Sequence, residues 1–218
     1  MIIILFLIGF ALGLIFTLMG EKVPLLLEEV TRKEDNSWIL NLFIAIVNAV
    51  VLVISYYEFD FSYEFFAALV ISALVITIFV SDFKYMIILD SPLIISGLLI
   101  FILKWCFFDF KTAGLSLLSG IALFLFMILI GFLGKKIFKR EALGGGDIKL
   151  AAVIGIILGL KLGLIAIIFS SLFALPYALG AMLLNKDSEV PFGPFLIGSV
   201  AIVFIFSDKF TNLINFLI

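Results

Sequence analysis

Long apolar runs alternate with short polar interruptions along the whole chain. The runs extend from about Ile2 to Gly20, Ile39 to Tyr57, Tyr63 to Ser81, Leu93 to Phe108, Ala113 to Leu133, Ile148 to Leu160, Leu164 to Leu184 and Pro191 to Phe206. Stretches of about 20 apolar residues match the hydrocarbon thickness of a bilayer. The pattern therefore predicts an all-α integral membrane protein with about eight transmembrane helices. The first run lacks a basic flank and a small-residue cleavage site, so it reads as a retained anchor. Gly9 and Gly13, and later Gly155, Gly159 and Gly163, recur every four residues and offer thin faces for close helix packing. Pro24 breaks the polar segment after the first run, and Pro176 predicts a kink in the seventh. The tail from Phe210 to Ile218 is too short to cross again. Residues 1–60 read as two spans with a short loop, and 61–218 as a second membrane unit.

Composition narrows the chemistry. Of 218 residues, 65% are hydrophobic and 14% charged, far from the balance of a soluble domain. A formal net charge of −2 gives no sign of a nucleic-acid partner. The chain has no His and only one Cys, Cys106. Imidazole metal sites, a Ser-His-Asp triad, a disulfide framework and a thiolate zinc site are all excluded. Hydrolytic chemistry must rest on carboxylates, Lys, Ser, Thr or Tyr, and no cofactor or metal is expected.

Two polar interruptions carry acids at span borders. The first is Asp82-Phe83-Lys84-Tyr85-Met86-Ile87-Ile88-Leu89-Asp90-Ser91-Pro92, where Pro92 suits a first helical turn with Asp90 or Ser91 as its cap. The second is Glu141-Ala142-Leu143-Gly144-Gly145-Gly146-Asp147-Ile148-Lys149-Leu150. Its three glycines leave backbone free to bend and to approach another chain closely, and Asp147 stands where an N-cap belongs. An acid at a membrane border is costly enough to be a functional candidate.

Basic residues in the loops set the orientation. Alternate loops, beginning with Glu21–Trp38, hold ten Lys and Arg; the opposite loops hold only Lys104, Lys111, Lys161 and Lys209. The first set is expected in the cytoplasm, with both termini outside. Asp82 and Asp147 then fall at the same, cytoplasmic, membrane border. Two such carboxylates can share a proton and act as an acid–base pair. They can also be separate helix-border caps. Ion-binding acids of a transporter usually lie near the midplane, where these spans carry none.

The residues around Asp147 resemble the GxGD signature of the type IV prepilin peptidases, membrane aspartic proteases that remove the leader of prepilin-like proteins at the cytoplasmic side. Gly144-Gly145-Gly146-Asp147 fits G-x-G-D, and Ile148-Lys149-Leu150 extends the match. Asp82 and Asp90 resemble the family's other motif, with Leu89 in place of a proline before the second acid. Pro191-Phe192-Gly193-Pro194 resembles the start of the last helix in the bacterial branch. Presenilin-like proteases share GxGD, but here Ser81, not Tyr, precedes Asp82.

The resemblance implies a catalytic pair of Asp82 and Asp147, prepilin-like substrates, and an inner-membrane location with a cytoplasmic active site. Gly144, Gly145, Gly146, Lys149 and Asp90 are the supporting motif residues. Lys149 either holds substrate or tunes the acids, or is a solvated border residue; Asp90 is a cap or a substrate contact. The first loop, about 18 residues without Cys, departs from bifunctional members that also methylate the new N-terminus, so a peptidase alone is expected. Glu21, Glu28, Glu29, Glu34 and Asp35 make that loop acidic, either to attract a basic leader or merely as a solvated stretch. Helix-end electrostatics place the shared proton on Asp82, at a carbonyl end, and the anion on Asp147, at an N–H end. The rival from another class is a non-catalytic membrane scaffold or transporter.

Overall fold

The computed structural model describes residues 1–26, 38–139, 143–183 and 191–217. All regular structure among them is helical: α1 (Ile2–Leu26), α2 (Trp38–Phe59), α3 (Tyr63–Tyr85), α4 (Asp90–Phe107), α5 (Phe110–Phe138), α6 (Gly145–Leu183), α7 (Gly193–Ile205) and α8 (Ser207–Leu217). Six of these are long and apolar enough to cross a membrane; α7 and α8, bent by 80° at their junction, make a possible seventh span as a pair. The chain is thus an all-α, multi-pass membrane protein. Large apolar side chains are exposed on α1, α2, α4 and α5, as expected where lipid is the solvent. The loop acids Glu28, Glu29, Glu34 and Asp35, and Glu141 of the glycine motif, lie outside the described residues.

Between lipid-bathed helices apolar burial supplies little drive, so association depends on close packing and interhelical hydrogen bonds. The glycine faces provide the first. A Cβ on Gly9 or Gly13 would come within 2.8 Å of Ala49 Cα or Ala45 Cα, so α1 and α2 meet backbone to backbone. The Asn48 amide, buried beside them, donates to the Gly9 carbonyl at 2.8 Å. α3 is the most enclosed span and packs on α1, α2, α4 and α7. α6 packs on α5, α7 and α4. Leu74 and Ile78 of α3, Leu150 and Ile154 of α6, and Leu196 and Val200 of α7 share one buried cluster. α3 and α6 are therefore joined through α4 and α7.

Several boundaries differ from those the pattern predicts. α1 runs on through Pro24 to Leu26. There Glu21 pairs with Lys84 of α3 and accepts from Asn41 Nδ2 of α2 at 3.1 Å. Glu21 is thus a tie between three helices and not a solvated loop acid. The sixth and seventh runs are two helices, as the pattern predicts, but they follow one another within α6 across a sharp bend and without a polar loop between them. The helical dihedrals of α6 fail at Gly159 (φ 77, ψ 176), because only glycine enters that region without a Cβ penalty; Pro176 lies inside the second half, as expected. The bend is sharp. A Cβ on Gly163 would lie 3.6 Å from Ile154 Cγ2, whereas nine residues of straight helix span about 13 Å. Gly155 and Gly163 press against Gly120 and Leu123 of α5, as the repeated glycines suggest, but Gly159 packs on nothing within 4 Å and serves as the hinge.

A broken helix leaves its last carbonyls without donors. Lys104, in the last turn of α4, supplies them: its ammonium donates to Ile156 O at 2.7 Å and Ile157 O at 3.1 Å. Orphaning such acceptors costs about 1–3 kcal/mol. Lys104→Met should therefore lower stability in detergent by about that amount, read as a fall in the thermal unfolding midpoint. An unchanged midpoint would mean that the α6 break holds without the lysine.

Candidate active site

Asp82 lies in the last turn of α3. The helix ends at Met86, which adopts the left-handed conformation (φ 56, ψ 35) and returns its N–H to the Asp82 carbonyl at 2.9 Å. A short non-helical stretch, residues 86–89, leads into α4. Asp82 is only 5% exposed. Its Oδ2 accepts a hydrogen bond from the Gly193 N–H at 3.1 Å, across 111 positions of sequence. Gly193 opens α7, with Pro191 and Pro194 buried on either side. A Cβ on Gly193 would stand 2.8 Å from Asp82 Oδ2, 2.9 Å from Ile88 Cδ1 and 3.1 Å from Ile78 Cγ2. Glycine is therefore required there for space, not for backbone freedom.

Asp147 is 9% exposed and lies inside the first turn of α6, which begins at Gly145. It is not the N-cap. The first turn forms from Gly144, whose carbonyl receives the Ile148 N–H at 3.4 Å. Gly146 enters the helix despite its entropic cost because the turn must pass close to its neighbour. A Cβ on Gly146 would lie 2.8 Å from Ile88 Cβ, whereas Gly145 has nothing within 4 Å, and Gly144 lies beside Asp147 Oδ2, 3.0 Å from its would-be Cβ. Asp147 Oδ1 is buried and takes no hydrogen bond from the described residues. Gly146, the residue before Asp147, and Gly193, bonded to Asp82, both pack on Ile88, which brings the two acids to the same end of the bundle.

Asp90 and Lys149 are joined to each other. The Lys149 ammonium reaches both Asp90 carboxylate oxygens, at 2.6 and 2.8 Å, with both side chains more than half exposed. Asp90 therefore does not cap α4; Leu89 holds the N-cap position without a side-chain bond. The cation two residues beyond Asp147 draws the Asp90 carboxylate away from the helix end. Pro92 does sit in the first turn of α4, where a missing N–H costs nothing.

Sequence reasoning missed two positions. Gly193 stood within the Pro-Phe-Gly-Pro stretch, and its exacting steric role was the available signal. Ile88 looks like any apolar loop residue, and nothing in the sequence marks it. Helix-end reasoning also counted one helix per acid. Asp82 faces the N–H end of α7 as well as ending α3, so the asymmetry that placed the shared proton on Asp82 is offset. Among the described residues, no three His, Cys, Asp or Glu side chains come together as a metal site needs.

Residues 69–179, half of the chain and both acids, match the model of the type IV leader peptidase family. The chain belongs to that family. It is 35% identical over 97 residues to a prepilin leader peptidase/N-methyltransferase of Bacillus subtilis (strain 168), covering 43% of this chain and 37% of that protein. It is 31% identical over 134 residues to a protein of the same name from Aeromonas hydrophila, covering 59% of this chain and 45% of that one. The chain thus spans less than half the length of these curated relatives. No solved structure matches it. The matched region ends before Gly193, so the leader peptidase signature holds the acids but not the helix start that contacts Asp82.

The packing predicts an order of sensitivities. Gly193→Ala forces a methyl group onto a carboxylate and two isoleucines, and should cost about 1–3 kcal/mol. Lys149→Gln breaks only an exposed pair, worth up to about 1 kcal/mol. Chemical or thermal unfolding of the two variants in detergent should rank them so. The reverse ranking would show that the Asp90–Lys149 pair, and not Gly193, holds this end of the bundle.

Proposed function

We propose that this chain is a membrane aspartic endopeptidase that removes the leader of type IV prepilin-like proteins. It works at the cytoplasmic face of the inner membrane, with both termini outside. One observation supports the proposal: Asp82 and Asp147, 65 residues apart, are both nearly buried, and the glycine bonded to the first and the glycine before the second pack on the same side chain, Ile88. Membership of the leader peptidase family and the names of the two relatives supply the substrate class.

The chemistry needs only the pair and water. Two neighbouring carboxylates resist joint ionisation, so together they retain one proton. The ionised member takes a proton from a water molecule as its oxygen attacks the scissile carbonyl. The protonated member gives its proton to the carbonyl oxygen, forming a tetrahedral diol. Collapse of the diol breaks the C–N bond, and a proton passes to the leaving amine. One water is consumed, and the pair returns to its singly protonated state. No cofactor, metal or nucleic acid takes part.

Cleavage of a prepilin-type substrate by the purified protein tests the proposal. Asp82→Ala and Asp147→Ala should each abolish cleavage while the protein remains folded. Full activity in either variant would remove that acid from the chemistry. Because one proton must be present and one absent, kcat should show a bell-shaped pH profile.

Methylation of the new N-terminus is not part of the proposal. The segment between α1 and α2 is short and carries no Cys. Incubation with cleaved pilin and labelled S-adenosylmethionine should transfer no label above a no-enzyme control. Transfer would show that these elements house a methyl-donor site after all.

A further inference from the structure

We infer that Ile88 is a positioning residue that sets the spacing between Asp82 and Asp147, an inference that rests on the acid pair proposed above. A single side chain touches the glycine beside each acid. Its Cβ faces Gly146, the residue before Asp147, and its Cδ1 faces Gly193, whose N–H holds Asp82. Would-be Cβ atoms at the two glycines fall 2.8 and 2.9 Å from these carbons. Both glycines are therefore pressed against the isoleucine with no space for a side chain between. α3 and α6 are coupled through α4 and α7, so the thickness of this wedge fixes how far apart the two helix ends stand.

The wedge is held on both sides. Upstream, Met86 is bonded through its N–H to the carbonyl of Asp82. Downstream, Leu89 is 2% exposed, and Asp90 is paired to Lys149, two residues past Asp147. The branch at Cβ restricts χ1, so the side chain is a stiff spacer where a linear one would fold away. Ile88 reaches the acids only through the glycines; it positions them and takes no part in the reaction itself.

Truncation grades the two contacts. Ile88→Val removes Cδ1, the atom against Gly193 and an outer contact of Gly146, and keeps the branched Cβ, the nearest atom to Gly146. Ile88→Ala removes the reach to Gly193 and the branch as well. Misplacing a reacting group by about 1 Å costs up to roughly 100-fold in rate. We expect kcat to fall modestly in the valine variant and by up to about 100-fold in the alanine variant, with KM unchanged. The pH profile gives a readout that loss of stability would not move. The two limbs of the bell are split by the mutual interaction of the acids, so acids set at a looser spacing bring the limbs closer together. The bell should narrow from wild type to valine to alanine.

Purified variants would be assayed on a prepilin-type peptide across pH, alongside their unfolding midpoints. A bell of unchanged width in an active variant, or a loss carried by KM, would overturn the role of Ile88. If the alanine variant does not fold, the valine variant alone decides. Asp82→Asn and Asp147→Asn, assayed in parallel, separate the two levels. Should both remain active, the acid pair itself fails; should both be dead and the Ile88 bells keep their width, only the spacer fails.

Discussion

The hydrogen bond from the Gly193 N–H to Asp82 governs much of this molecule's architecture. A carboxylate at 5% exposure has lost most of its water and needs a donor in exchange. At the end of α3 its own helix offers only carbonyls, which makes matters worse. The donor comes from the start of another helix, whose free N–H groups have no partner of their own. For that start to come within 3.1 Å of the carboxylate, the residue there can carry no side chain, and α7 must lie against α3 along its buried face. The prolines on either side restrict the backbone at that turn. One satisfied acid thus dictates the place of a whole helix.

Much of the fold was legible because apolar length is a strong signal. The apolar runs reappear as helices, and the Gly9–Gly13 face packs as its spacing suggests. Failures came where tertiary contacts outrank local preference. Pro24 lies within α1, and the break in α6 falls at a glycine that looked like a packing residue. A glycine repeat cannot say which member touches a neighbour. Gly155 and Gly163 do, and Gly159 does not. The same holds in the acid motif. Gly144, Gly145 and Gly146 are equivalent in sequence, yet only Gly146 faces a side chain of another element at clashing distance. At the site, both acids were identifiable from charge at span borders. Ile88 was not, since an apolar residue among apolar residues carries no mark of its contacts.

Three charged residues within these spans each meet a partner that a helix end or an opposite charge provides. Lys104 meets the carbonyls freed at Gly159, Asp82 meets the N–H at Gly193, and Lys84 meets Glu21. Ions are expensive at membrane depth, so a bundle that keeps them needs interrupted helices or paired charges close by. The break in α6 and the start of α7 are the places where the backbone itself supplies that partner. Irregular backbone at membrane depth is tolerated where protein covers it, and at the start of α7 Pro191, Gly193 and Pro194 are buried.

Asp147 is served less fully, and that fits a hydrolytic pair. One of its carboxylate oxygens is buried and receives no donor from the described residues, while the Gly144 backbone N–H serves the carboxylate's other end. In a purely structural acid this would be a defect costing about 1–3 kcal/mol, and a backbone N–H or a serine nearby would remove it at little cost. An acid that must take or give a proton during a reaction needs an oxygen that the fold leaves uncommitted. Each acid has a backbone N–H beside one end of its carboxylate, from Gly193 for Asp82 and from Gly144 for Asp147. Both donors come from helix starts that glycine alone lets approach so closely. On the proposed reading, the carboxylate oxygens that these donors leave over are the ones that would meet water and substrate.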